Sequence, residues 1–195
     1  MNRLQSLITR KTFYLPLLLQ LLVSIATAQV KYHAKDNLQL VVNGTSTLHD
    51  WDMKTSKGEC NAVFVVNAAG QLTGLTALSF TMPAESLKSD HSSMDKNAYK
   101  SLKTDKNANI TYTLTSATLL PDGTVKCQGK LTIAGVTADA ELVATTKVNA
   151  DKSIAVKGTR KISMKDFNID PPTFMMGTIK TGNDLTLQFD VTLTK

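Results

Sequence analysis

MDKNAYKSLK (residues 94–103), NITY (109–112) and GKLTIAGVT (129–137) are the segments that best indicate how this chain folds. In the first segment, apolar side chains recur every fourth residue, the spacing of one face of a short amphipathic helix. The second alternates polar and apolar residues as a strand does, and the third is an alternating strand that ends in an Ala-Gly-Val turn. The apolar face of the predicted helix consists of Met94, Ala98 and Leu102.

Alternation with a period of two continues from Asn37 to the end of the chain and predicts at least eight strands, each with one polar and one apolar face. The runs are separated by short turn sequences such as Pro121-Asp122-Gly123 and Gly182-Asn183. Connections this short favour antiparallel neighbours. The sequence therefore predicts an all-β protein with one short helix between strands, and leaves a sandwich and a barrel as the two ways of packing it.

Two long segments, 83–106 and 166–181, interrupt the alternation. Long and partly apolar excursions between strands are where barrel proteins place lids and entrances. The second excursion contains Phe174, Met175 and Met176, and methionine adapts its shape to flexible ligands. These three residues fit either a portal or an apolar plug packed against the end of the sheet.

Residues 1–28 have the features of a cleaved signal peptide. An apolar run, 15–25, is followed by Ala26-Thr27-Ala28, which predicts cleavage before Gln29. The run is interrupted and too short for the roughly 20 apolar residues of a membrane span, so we expect no stable insertion. A periplasmic or secreted protein with a single domain, residues 29–195, is expected. The basic residues that precede the run are Arg3, Arg10 and Lys11.

Composition argues against several classes of function. The formal charge of +6 falls to +3 without the leader, and the remaining lysines are scattered with no aromatic or arginine-rich cluster, so nucleic acid is not an expected partner. The sequence contains no nucleophile-elbow, phosphate-loop or zinc-protease motif. Its three histidines lack a second His at ligand spacing. We therefore expect no enzyme activity, no cofactor and no metal.

The densest polar stretch is Thr45–Asp52. His49 with Asp50 and Asp52 could in principle form a metal or acid–base site, but neighbouring residues of a strand point to opposite faces. The simpler interpretation is a strand end whose short polar side chains cap a turn while Trp51 packs nearby.

The two cysteines, Cys60 and Cys127, occupy apolar positions of their strands. In an exported protein they could form a disulfide. They could equally be two buried thiols, because the sequence does not provide the Cα separation that decides the question.

The order of these segments resembles the YceI-like family. The resemblance extends over about residues 32–193 and includes the strand end at Thr45–His49, the three segments quoted above and Asp166-Phe167-Asn168-Ile169. It implies an eight-stranded, lipocalin-like antiparallel barrel whose lumen holds an isoprenoid-type lipid. Family members commonly have an Arg two residues before the Asp-Phe-Gly-Ile stretch, where this chain has Met164, and Asn168 replaces the Gly. Recognition of a charged head group is therefore in question.

The resemblance implies non-catalytic carriage or sequestration of a polyprenyl or quinone-like tail. The alternative is an interaction or stress-protection module whose barrel is filled by its own side chains. The sequence leaves open whether the chain forms a homodimer. The residues expected to contact lipid are Phe80, Met82, Met94, Ala98, Leu102, Tyr112, Leu131, Ile133, Phe167, Phe174, Met175 and Met176.

Overall fold

The computed structural model describes residues 27–195. The predicted leader therefore lies, apart from its last two residues, outside the described part. The strands are β1 (Thr27–Lys35), β2 (Leu38–Gly44), β3 (Trp51–Thr55), β4 (Glu59–Asn67), β5 (Leu72–Pro83), β6 (Asn109–Leu119), β7 (Thr124–Ile133), β8 (Val136–Val148), β9 (Ile154–Ser163), β10 (Thr173–Phe174), β11 (Ile179–Lys180) and β12 (Asp184–Leu193), with helix α1 (Ser92–Leu102) between β5 and β6.

Ten of the strands form a single antiparallel sheet in the order β1-β4-β5-β6-β7-β8-β9-β12-β2-β3. The short strands β10 and β11 pair separately as a hairpin. An all-β protein with one α-helix between strands is confirmed for residues 27–195. The predicted count of eight strands is not confirmed, since the sheet has ten.

The two strands missing from the predicted count are β1, which precedes the alternation counted from Asn37, and β3, which overlaps the polar stretch interpreted as a capped turn. Each adjoins a counted strand at one interruption. Asp36 separates β1 from β2 with a positive φ of 52°, and Gly58 lies between β3 and β4 with φ 147°. The two breaks face each other, because the Asp36 N–H donates to the Gly58 carbonyl at 2.9 Å. A Cβ on Gly58 would lie 2.9 Å from Leu38 Cδ1, so this position requires glycine both for its φ and for space.

The sheet is curled. Its first strand, β1, meets the end of β12, where the His33 N–H donates to the Thr194 carbonyl at 2.7 Å and the Thr194 N–H donates back at 2.8 Å. Bulges in β4–β5 and β6–β7 add local bending, as extra residues on one strand do. Side chains of one parity therefore point into a common interior.

The largest side chains of the interior that are almost completely buried are Phe64, Leu38, Ile154 and Leu193. The Tyr32 ring meets Phe64 edge-on, with ring centroids 5.8 Å apart. A second, smaller apolar cluster lies under α1 and consists of Met53, Met82 and Leu87.

Helix α1 is held in place by hydrogen bonds of two side chains one turn apart, Asp95 and Tyr99. Burial alone would raise the pKa of the Asp95 carboxyl, but hydrogen bonds at 2.8 Å from the Ser89 N–H and hydroxyl outweigh it and hold that pKa below its usual range. The Tyr99 hydroxyl lies 2.8 Å from the carbonyl oxygens of Glu85 and Leu87 and can donate to either. These contacts fix the helix against the segment that follows β5.

Candidate functional site

A cavity of about 460 Å³ lies inside the curled sheet, beneath α1. Its wall is formed by inward-facing side chains from the strands and by one face of the helix. The wall is almost entirely apolar. Its volume is within the roughly 300–1,000 Å³ that small-molecule sites occupy.

The structure brings most of the residues predicted to contact lipid onto this wall. The face of α1 that carries Met94, Ala98 and Leu102 packs on the cluster under the helix and borders the cavity, as the fourfold spacing indicated. Whether any of these residues contacts a ligand stays a prediction. The predicted residues that line the cavity are Phe80, Met82, Met94, Ala98, Leu102, Tyr112, Leu131, Ile133, Phe167 and Phe174.

Met175 and Met176 do not line the cavity. They form the tip of the β10–β11 hairpin, where Met175 is 74% exposed and Met176 is fully exposed. Both have positive φ, 49° and 53°, and the Gly177 N–H closes the turn onto the Phe174 carbonyl at 3.1 Å. This tight turn places Phe174 on the cavity wall and leaves the two methionines in solvent. Their exposure contradicts the apolar plug, whereas a portal role for Met175 and Met176 stays a prediction.

Sequence reasoning missed the part of the wall contributed by β2, β9 and β12. The alternation identified these strands, but a period of two does not show which parity faces inward. The omitted wall residues include Leu40, Val42, Val156, Arg160, Ile162, Leu187 and Phe189. Among them Arg160 is the one that an apolar pattern conceals, because it occupies an inward position between Gly158 and Ile162.

Two glycines make room for aromatic rings against the inner wall. A Cβ on Gly129 would lie 2.5 Å from the Tyr112 ring and hydroxyl, and a Cβ on Gly158 would lie within 2.9 Å of the Phe189 ring. The Tyr112 hydroxyl donates to the Cys127 carbonyl at 3.3 Å. Burial raises the pKa of Tyr112, so the phenol is neutral at physiological pH.

Cys60 and Cys127 are both free and buried, and both border the cavity. The disulfide considered from the sequence is not formed. The cysteines lie on β4 and β7, three strand positions apart in the sheet, and neighbouring strands are about 4.8 Å apart, whereas a disulfide requires Cα atoms within about 7 Å. Burial raises the pKa of Cys60 to about 12 and that of Cys127 to about 11, so neither is an activated thiolate at neutral pH.

The polar stretch at Thr45–Asp52 forms a turn that borders the cavity. The Ser46 hydroxyl accepts from the His49 N–H at 3.1 Å, and the Trp51 indole N–H donates to the Thr45 carbonyl at 3.0 Å. Asp52 is paired with Lys54 at 2.6 Å, away from His49. This agrees with the simpler interpretation, a capped turn with Trp51 packed against it. In residues 27–195 no three His, Cys, Asp or Glu side chains are grouped as metal ligands.

Met164 and Asn168 bound a short 3-10 turn, Met164–Phe167, after β9. Met164 is buried on the cavity wall and so provides no cation at this position. Asn168 has a φ of 52°, a left-handed conformation that Asn tolerates better than most residues other than Gly. The replacement of Gly by Asn therefore preserves the backbone turn.

Across residues 27–195, none of the helices combines the length and the hydropathy needed to cross a bilayer.

Comparison with solved structures finds the same fold in distant proteins. BcnA of Burkholderia cenocepacia is 12% identical with a TM-score of 0.68, covering 81% of this chain and 96% of that protein. A polyisoprenoid-binding domain from Saccharophagus degradans, implicated in plant cell wall breakdown, is 11% identical with a TM-score of 0.61 over 85% of this chain and 98% of that domain. The Campylobacter jejuni YceI protein is 23% identical with a TM-score of 0.56, covering 70% and 81% respectively.

Curated proteins gave no match. The model of the YceI-like domain, in contrast, matches residues 29–193, which is most of the chain and nearly all of its described part. The matched range contains all the segments whose order resembles this family in the sequence. The chain belongs to the YceI-like family.

Proposed function

We propose that this protein is a non-catalytic carrier that sequesters an isoprenoid-type lipid inside the curled sheet. The observation that supports this most strongly is the cavity itself, about 460 Å³ of space bordered almost entirely by apolar side chains. A water-filled space of that composition would be costly to maintain, whereas a slender apolar chain replaces the water and gains contact with the wall.

The energetics favour a long ligand without elaborate polar recognition. A drug-sized ligand gains about 0.3 kcal/mol per heavy atom, so a chain of about twenty carbons gains roughly 6 kcal/mol and one of about forty roughly 12 kcal/mol. These values correspond to dissociation constants from tens of micromolar to about nanomolar. The similarity in fold to the polyisoprenoid-binding domain of Saccharophagus degradans supports the same ligand class.

We further propose that the sheet acts as an eight-stranded, lipocalin-like barrel. The strand β1 continues into β2, and β3 continues into β4, after one interruption each. Counting each interrupted pair once reduces the ten strands of the sheet to eight. An eight-stranded barrel has an interior of the right width for one slender ligand.

The mouth of the cavity is assigned to the gap between the turn at Thr45–His49, the N-terminal half of α1 and the β10–β11 hairpin. The polar side chains that border the cavity concentrate there, with Ser46 and His49 on the turn and His91, Ser93 and Asn97 on the helix side. Helix α1 would then act as the cover of the opening.

We also propose that the protein works in the periplasm or outside the cell after removal of residues 1–28. The intact mass of the protein recovered from an exported fraction should correspond to a chain that begins at Gln29. A mass that retains the leader would refute this part of the proposal.

The decisive experiment is mass spectrometry of an organic extract from protein purified without detergent from its exported fraction. We expect one long-chain isoprenoid at close to one molecule per chain. After delipidation, the protein should rebind a neutral twenty-carbon prenyl alcohol with saturable stoichiometry. A protein that is isolated free of lipid and does not bind the alcohol would refute the carrier function and favour an interaction module.

A further inference from the structure

Arg160 lies in the second half of β9 on the parity that faces the cavity. Its neighbours of the same parity are Gly158 and Ile162, and its partner across β12 is Leu187. All of these positions except Gly158 border the cavity. Arg160 thus contributes a charged side chain to a wall that is otherwise almost entirely apolar.

Nothing within residues 27–195 balances this charge. Arg160 forms no ion pair and no hydrogen bond with the described residues, and its Nε atom is buried without a partner. Of the described residues that border the cavity, Arg160 is the one Lys, Arg, Asp or Glu. The Tyr112 phenol faces the same region, close enough that Arg160 lowers its pKa against the larger effect of burial.

An unpaired cation in an apolar cavity carries a desolvation cost that an anion can offset. The planar guanidinium binds carboxylates and phosphates with two parallel hydrogen bonds. A carboxylate has one negative charge and neutralises Arg160 fully. A phosphate or pyrophosphate would leave excess negative charge in a cavity that offers no second Lys or Arg within the described residues, and a neutral alcohol would leave the cation unbalanced.

We propose that Arg160 binds the carboxylate of a long-chain apolar acid, so that the preferred cargo is a prenyl-type lipid with a carboxylic acid head group. The proposal rests on the carrier function above and specifies its ligand. Arg160 also supplies a cation for head-group recognition although Met164 provides none at the start of the turn after β9. The cation has a different position in the fold, four residues earlier on β9.

The test compares three twenty-carbon prenyl probes, namely the carboxylic acid, the alcohol and the monophosphate, on delipidated protein. The wild-type protein should bind the acid roughly 10- to 100-fold more tightly than the alcohol, the range expected for hydrogen bonds to a charged group. Arg160→Met should abolish this difference while it leaves affinity for the alcohol unchanged or improved. Lys161→Met, the adjacent exposed position of β9, is the matched control and should retain the preference.

Protein stability provides a second readout. Because Arg160→Met removes an unpaired charge from an apolar surface, the ligand-free variant should melt at the same temperature as the wild type or higher. A lower melting temperature would indicate a structural partner and contradict the proposed role. The inference would be overturned if the wild type bound acid and alcohol equally or bound the monophosphate more tightly than the acid. It would also be overturned if Arg160→Met kept the preference for the acid. If neither acid nor alcohol binds, the carrier function itself fails.

Discussion

The substitution Ala98→Trp tests whether lipid occupies the space beneath α1. Ala98 borders the cavity from the helix and packs against the cluster formed by Met53, Met82 and Leu87. A tryptophan side chain has about nine more heavy atoms than alanine and would project into the volume that a lipid tail needs. At about 0.3 kcal/mol per displaced ligand atom, the loss is about 2.7 kcal/mol, or roughly 100-fold in affinity.

The control is Lys100→Trp, which places the same side chain on the exposed face of the same helix. Binding of a neutral twenty-carbon prenyl alcohol to delipidated protein would be measured by calorimetric titration, with circular dichroism to verify that each variant is folded. We expect Ala98→Trp to bind about 100-fold more weakly and Lys100→Trp to match the wild type.

A helix that shifts outward could accommodate the new side chain, so a second variant is placed on the sheet. Leu131→Trp on β7 adds about six heavy atoms from a wall that is paired on both sides, and the same arithmetic gives about 1.8 kcal/mol, or roughly 20-fold. Wild-type affinity in both folded variants would refute the placement of the lipid in this cavity.

Three further predictions concern stability. Asp95→Ala removes the acceptor of two hydrogen bonds from Ser89 and should lower the unfolding free energy, measured by chemical denaturation, by about 1–2 kcal/mol at neutral pH. Because the pKa of this carboxyl is held low in the folded state, the difference from the wild type should shrink as acid protonates Asp95 in the folded wild-type protein, and a difference independent of pH would contradict the assignment. Gly158→Ala should cost about 1–3 kcal/mol, because its Cβ would overlap the Phe189 ring, and an unchanged melting temperature would disprove that close contact. Folded Cys60 retains its proton from pH 9 to about 12, whereas the thiol of the unfolded chain ionises above pH 9, so the unfolding free energy should fall by up to about 1.4 kcal/mol per pH unit in this range. Cys60→Ala should show a shallower fall between pH 9 and 11. Parallel plots of unfolding free energy against pH for the variant and the wild type would exclude a buried thiol.

Local patterns predicted the elements well because each depends on neighbours in sequence. The alternation that identified the strands and the fourfold spacing of Met94, Ala98 and Leu102 are geometric properties of the strand and the helix themselves. Most of the predicted wall residues followed from these patterns and from the family resemblance. The strand count differed because β1 precedes the alternation counted from Asn37, and because β3 begins within the polar stretch Thr45–Asp52, whose short polar side chains indicated a turn.

The hairpin tip shows where local pattern fails. Phe174, Met175 and Met176 form one apolar run in sequence, but the positive φ values of the two methionines separate them from Phe174 in space. Hydrophobicity alone does not specify backbone conformation, so the sequence could not show that Phe174 faces the cavity while the two methionines face solvent.

By itself, the sequence determined the all-β class, the antiparallel pairing of neighbouring strands, the position of the helix and the family. Each of these follows from periodicity, turn chemistry or segment order, which are properties read along the chain. Only the tertiary structure decided that Cys60 and Cys127 are too far apart around the sheet to pair, and that Arg160 is the unpartnered charge in the cavity. Those facts depend on which strand face is concave and on distances across the curled sheet, and both arise from contacts between residues far apart in the chain.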